Sequence, residues 1–287
     1  MTERSPFKNA VVAVVCFWIV LFVFLPNLMV VVTSFLERDP DRFVRPVFSL
    51  AHYRELFGPV FLHILLRSVV YALATTAVCL VLAYPFAFAM ARSRFRRLLL
   101  ILVIIPFWTS SLIRTYALII LLKANGLINT CLMGLGLIHE PLPMLYTDGA
   151  VLIGLVYTLL PFMILPLYAS LDKLDRCLVE AGYDLGATRW QVLVHIMLPA
   201  TLPGIIAGSI LVFLPTLGLF YIPDLLGGAK AMLVGNFIKN QFLTAHNWPF
   251  GSAASLFLTL MMGAMLYAYW ASVRRFSADT AEGRLGR

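Results

Sequence analysis

Six times along its length the chain runs for about 20 residues or more on almost wholly apolar side chains, at roughly 10–32, 68–90, 98–122, 149–170, 200–222 and 250–273. Twenty helical residues at about 1.5 Å each cross the ~30 Å hydrocarbon core of a bilayer. Lipid offers the backbone no hydrogen bonds, and a helix satisfies its own. The sequence therefore predicts an all-α polytopic membrane protein of six transmembrane helices, with 1–287 as a single membrane domain. Of its 287 residues, 61% are hydrophobic and 13% charged, about half the charge a soluble surface demands. The net charge of +8 shows no basic patch interleaved with stacking aromatics, so nucleic acid is not an expected partner.

The first apolar run follows Arg4 and Lys8, exceeds a signal-peptide core in length and lacks a small-residue cleavage pattern; it reads as a retained span. Cys16, Cys79, Cys131 and Cys177 are scattered, with no ligand spacing to histidine, so neither a metal nor a redox site is expected. His63, His139, His195 and His246 fall on connections and form no cluster. No Ser, His and acid trio or paired carboxylate calls for a covalent or hydrolytic step, and the chain does not read as an enzyme.

Sidedness follows from the basic residues, which accumulate in cytoplasmic loops. With the N-terminus inside, the cytoplasmic set is Arg4, Lys8, Arg92, Arg94, Arg96, Arg97, Lys173, Arg176, Arg189, Arg274, Arg275, Arg284 and Arg287. The opposite face holds Arg38, Arg42, Arg45, Arg54, Lys123, Lys230 and Lys239, matched by as many acids, Asp41 among them. Arg67 and Arg114 lie at or in the membrane. Both termini and the connection at 171–199 are expected in the cytoplasm.

Pro85, Pro106, Pro161, Pro166 and Pro215 interrupt apolar runs. Each removes a backbone donor, and neighbouring helices or a wet cavity must satisfy the freed carbonyls. Gly204 and Gly208 form a G-x-x-x-G in the fifth span, suited to a close helix contact, within the chain or between subunits. Arg114 within an apolar run needs a partner or a watery wall, since an isolated charge there costs at least about 2.5 kcal/mol; a structural or gate role is expected. The segments 51–56 and 126–138 are too short or loop-like to span.

The connection at 171–199 is polar where its neighbours are oily. Asp172 and Arg176 are spaced for an i,i+4 pair, and Leu171, Leu174, Leu178 and Val179 recur at helical spacing, predicting a helix over about 171–183. Gly186 ends it. Thr188 and Gln191 make a capping-box pattern for a second helix, with Trp190, Val194 and Met197 near one face and Pro199 as its stop. The expectation is helix, turn, helix along the membrane.

Glu180, Ala181, Gly186, Ile196, Leu198 and Pro199 stand at the spacings of the EAA loop in permeases of binding-protein-dependent ABC importers, which this stretch resembles. Gly182 replaces the family's third small residue, Ala, and leaves the first helix locally weaker. The resemblance implies a type I importer permease fold and a loop, including Ala187, seated in a groove of a separate ATPase. The chain has no G-x-x-x-x-G-K-[ST], so ATP and Mg²⁺ belong to that partner and no cofactor is expected on this chain.

Further stretches, 105–116, Gly154 to Tyr157 with Leu160 to Phe162, 219–230 and Trp248 to Gly251, resemble the B-type permeases of spermidine and putrescine importers. That likeness covers nearly the whole chain to about Phe276. It implies a heterodimer with a second, homologous permease, two ATPase subunits, a periplasmic polyamine-binding protein and a place in the bacterial inner membrane. Relatives in the group carry ferric iron or aminoethylphosphonate. A polyamine passage wants aromatic faces and a few acids. Trp108, beside Pro106, is the first pathway candidate; Tyr221 and Asp224, at the outer end of the fifth span, are the next. The plainer readings are interfacial aromatics and a turn cap before Gly227. A secondary carrier would need carboxylates near mid-depth, which the spans lack, and a membrane-anchored sensor would need a soluble domain that this length cannot hold.

Overall fold

The computed structural model describes the backbone of residues 6–39, 44–228 and 231–285 and the side chains of 11–39, 44–175, 177–228 and 231–271. Of the residues weighed above, Arg4, Asp41, Arg42, Ala229, Lys230 and Arg287 lie outside the described residues, as do the side chains of Lys8, Arg176, Arg274, Arg275 and Arg284.

In order the chain forms α1 (Pro6–Ile19), α2 (Leu25–Ser34), β1 (Leu36–Glu37), β2 (Arg45–Phe48), α3 (Ala51–Leu56), α4 (Pro59–Arg92), α5 (Arg96–Ile104) and α6 (Ser111–Leu122). There follow α7 (Leu127–Gly134), α8 (Asp148–Asp172), α9 (Arg176–Asp184), α10 (Arg189–Val192), α11 (Leu198–Gly218), α12 (Val234–Leu243) and α13 (Trp248–Leu285). Among the described residues six helical stretches are long and apolar enough to span: Val11–Ser34, Pro59–Arg92, Ser111–Gly134, Asp148–Asp172, Arg189–Gly218 and Trp248–Ala271.

Three of these differ from the sequence reading: the second begins at Pro59, ahead of the expected 68, and two others differ because of proline. The third run, 98–122, is not one continuous helix. Pro106 has no N–H to offer, the chain tightens into a 3₁₀ turn at Ile105–Trp108, and Thr109 is extended (φ −92°, ψ 143°) before α6 begins. The stretch that qualifies by length and composition, Ser111–Gly134, is itself broken at Lys123 (φ −57°, ψ 155°), between α6 and α7. The fifth starts at Arg189 rather than about 200. A π turn at Leu193–Met197, closed by the Leu198 N–H on the Leu193 carbonyl, carries the helix past Pro199 without a stop. The same device, at Val20–Phe24, carries the first span past Pro26.

The described residues divide into two units. The first draws on Met1–His63 and Phe237–Ala268. Its β1 and β2 pair antiparallel, Leu36 opposite Phe48. Ser34 Oγ and Tyr53 OH share a hydrogen bond of 2.7 Å. Phe237 meets Phe61 and Phe250 at centroid distances of 5.7 and 5.8 Å.

The second draws on Ile64–Asn236 and Tyr269–Arg287. Here α8 is the central strut, and α11 packs along it. A Cβ on Gly204 would lie 2.8 Å from the Pro166 carbonyl oxygen, and one on Gly208 would lie 2.7 Å from Met163 Sδ. The G-x-x-x-G therefore makes a close contact within the chain. Ala83, Ala87 and Met90 of α4 and Met163, Leu167 and Leu171 of α8 form one buried cluster, which also takes in Val179, Val192 and Met197. At the other end Arg67 of α4 holds Asp148 of α8 at 2.7 Å.

Candidate functional site

The polar connection is built by local rules, with one break the spacing did not reveal. Lys173 caps α8, and Asp175 takes an extended conformation (φ −65°, ψ 124°), its carboxylate accepting from the Cys177 N–H at 2.9 Å. An N-cap aspartate thus starts α9 afresh. The helix expected over 171–183 is interrupted, Asp172 and Arg176 share no helical face, and Asp172 pairs with Arg96 at 3.2 Å. Alpha-9 then closes in a left-handed glycine: Gly186 has φ +82°, its N–H bonds the Tyr183 carbonyl, and the Ala187 N–H bonds that of Gly182. The expected capping box is present, Thr188 N–H donating to Gln191 Oε1 at 2.8 Å and Gln191 N–H to Thr188 Oγ1 at 3.4 Å.

The second helix is not a separate surface helix. Alpha-10, the π turn and α11 are continuous, so the loop ends as the first turns of a spanning helix. Any displacement of α9 that bends this turn acts directly on the fifth span. Trp190 and Met197 also do not share a face: Met197 is buried, whereas Trp190 is 72% exposed.

The loop has two apolar sides. Val179 and Val192 lock one of them into the α4–α8 core. Leu178, Leu185 and Trp190 stand exposed away from it, Leu185 at 89% exposure, while Tyr183 lines the recess it shares with Val179 and Arg92. Exposed apolar side chains on a polar loop mark a contact surface. Sequence periodicity missed it because an amphipathic pattern reveals one buried face and cannot show that the remaining apolar residues point away. Glu180, Ala181, Gly186 and Pro199 are exposed, Ala187, Ile196 and Leu198 half-buried, and Gly182 buried. A Cβ on Gly182 would lie 2.5 Å from Ile196 Cδ1, so the glycine is where α9 closes on the π turn. The Asp175 charge, and then its hydrogen bond, raises the Cys177 thiol pKa above its ordinary value.

The pathway candidates lie elsewhere. Trp108 ends the 3₁₀ turn with 85% of its surface exposed. Tyr221 and Asp224 stand three residues apart after α11, Asp224 in the π turn Pro223–Gly227, which packs against α6. Tyr221 meets the Phe220 ring edge-on at 6.0 Å. Arg114 of α6 lies over the Tyr157 ring of α8 at 5.9 Å, and its Nε is buried. An aromatic face is the kind of partner an intramembrane guanidinium needs. Among the described residues no group of His, Cys, Asp and Glu could hold a metal.

Six apolar spans, a central strut with a glycine-packed neighbour, and a polar loop that turns into a span define a transport permease. The family model described as binding-protein-dependent transport system inner membrane component matches residues 80–278, and the chain belongs to that family. It is therefore a multi-pass inner-membrane component of an ABC importer, not an enzyme, and such a component works with an ATPase and a binding protein. Over 284 residues, 98% of this chain and 99% of the relative, it is 52% identical to the spermidine/putrescine transport system permease protein PotB of Salmonella typhimurium. It is 52% identical over 259 residues, 90% and 94% of the two chains, to PotB of Escherichia coli. The Haemophilus influenzae PotB is 47% identical over 269 residues, 93% and 94%. A bacterial alginate ABC transporter, solved in complex with an alginate pentasaccharide-bound periplasmic protein, shares the fold: TM-score 0.76 over 95% of this chain and 96% of that one, at 17% identity.

Proposed function

We propose that this chain is one of two non-identical membrane subunits of an ATP-driven importer that takes spermidine and putrescine from a periplasmic binding protein and passes them inward by alternating access. The observation that carries the cargo is the 52% identity to PotB along almost the whole chain. Both termini and the α9 loop face the cytoplasm, a sidedness supported by the basic residues crowded at Arg92, Arg94, Arg96 and Arg97. Two ATPase subunits complete the assembly, and one of them seats the loop on Leu178, Leu185 and Trp190, with Glu180 at the rim.

The loop works as a lever because its inner side is fixed to α4 and α8 while its end is the start of α11. ATP binding and hydrolysis in the partner shift populations by binding the two states unequally. Trp108, Tyr221 and Asp224 supply rings and a carboxylate to a cation in transit, and Arg114 holds α6 to α8 as a structural or gate residue. A trivalent cation is driven inward by about 7 kcal/mol per 100 mV, at ~2.3 per charge. ATP therefore serves gating and one-way capture as well as force.

The test is to purify the importer with its binding protein and ask which radiolabelled solute binds and stimulates ATP hydrolysis. Spermidine or putrescine should do so; stimulation by ferric iron or aminoethylphosphonate alone would refute the cargo.

A further inference from the structure

The geometry points to a binding site for one anionic phospholipid in a cleft between the loop end of α4 and the α10–π turn segment. The cleft has a volume of about 740 Å³ and is lined by Tyr84, Pro85, Phe88, Arg92, Tyr183, Arg189, Leu193 and Met197, a size in the usual range for small-ligand sites. Its two walls are antiparallel, and the hydrogen bond of 3.2 Å between Tyr84 OH and Thr201 Oγ1 sets their register at the deep end. From Tyr84 to Arg92, and from Met197 back to Arg189, each wall rises eight residues, roughly 12 Å, toward the loop.

Charge is graded along that depth. Arg92 and Arg189 stand at the mouth, one from each wall, and the lining below them is Phe88, Pro85, Leu193 and Met197. Arg92 is held over the Phe88 ring at 4.3 Å, which aims a weakly hydrated guanidinium without neutralising it. Among the described residues neither arginine has a carboxylate within the ion-pair distance of 4 Å. Asp172 is taken by Arg96, and Glu180 shares only a side recess with Arg92. No acid lines the cleft itself.

Two cations over an apolar shaft complement a phosphate headgroup with an acyl chain below it. They exclude the polyamine cargo, which would meet two like charges. A free phosphate would satisfy the arginines and leave the shaft unfilled. With the loop on the cytoplasmic side, as proposed above, the lipid comes from the inner leaflet. Since Tyr183 and Arg189 belong to the loop, an occupied cleft would brace the coupling segment.

The experiment uses the whole importer, delipidated in detergent and titrated with phosphatidylglycerol, phosphatidylcholine or inorganic phosphate under native mass spectrometry. Phosphatidylglycerol should be retained at least about tenfold better than phosphatidylcholine, and Arg92→Gln with Arg189→Gln should remove that preference. Equal retention of the two lipids, an unchanged preference in the double variant, or displacement by millimolar phosphate would overturn the proposal. If the double variant fails to assemble, wild-type importer is labelled with phosphatidylglycerol carrying a photoreactive acyl chain. Adducts should map to peptides containing Leu193 and Met197 or Tyr84 and Pro85; adducts only elsewhere would overturn it equally.

Discussion

Gly182 sits where two opposing effects meet. Replacing it with Ala removes helix-interior flexibility, a gain of roughly 0.5–1 kcal/mol, but sets a methyl 2.5 Å from Ile196 Cδ1, and overpacking costs about 1–3 kcal/mol. Ile196→Val deletes the obstructing carbon. Gly182→Ala should therefore raise Tm more in the Ile196→Val background than in the wild type; a rise of equal size in both would show that the contact does not matter. Asp175 offers a second test. Its charge raises the pKa of Cys177, so at pH 7–8 less thiolate is present than for a free cysteine. Asp175→Asn keeps an N-cap oxygen and should speed maleimide labelling of Cys177, as followed by mass shift; an unchanged rate would contradict the assignment. Thr188, Gln191 and Gly186 were legible because capping and left-handed turns are local chemistry. The fate of Asp172 was not: its partner, Arg96, is far away in sequence, and no spacing rule reaches it.

At the scale of the element, the π turn at Leu193–Met197 is the joint of the loop. The sequence marks its place only through Pro199, which periodicity reads as a stop; an i→i−5 bond one residue before the proline lets the helix continue. Spans were legible from apolar length, while their ends were not, because prolines at 106, 199 and 215 can each break, bulge or bend a helix and tertiary packing decides which. Deleting Val194 should return the joint to regular helix with little rotation of what precedes it, because four residues of α-helix turn through about the same angle as five of π-helix. The variant should therefore still insert in the membrane, and its ATP hydrolysis should still respond to loaded binding protein. Loss of that response would show that the wide turn itself, and not the register it preserves, is needed for coupling. Gly204 and Gly208 were readable as a close-contact pair from spacing alone, but their partner became known only when Pro166 and Met163 were found beneath them.

For the whole molecule, six-span architecture and the loop followed from the chain's own residues, whereas the proposed docking surface needed three dimensions. Leu185 and Trp190 look like ordinary core residues until the buried side of the loop is assigned to Val179 and Val192. The central claim is that this surface transmits ATP hydrolysis to polyamine movement. Reconstituted vesicles holding the complete importer, ATP and radiolabelled spermidine test it most directly. Leu185→Asp with Trp190→Asp should reduce ATP-driven uptake at least about tenfold, since burying two charges in place of two apolar anchors costs several kcal/mol at an interface. The variant should remain in the membrane with its spans intact, as judged by protease protection. Uptake at the wild-type rate in that variant would contradict the account.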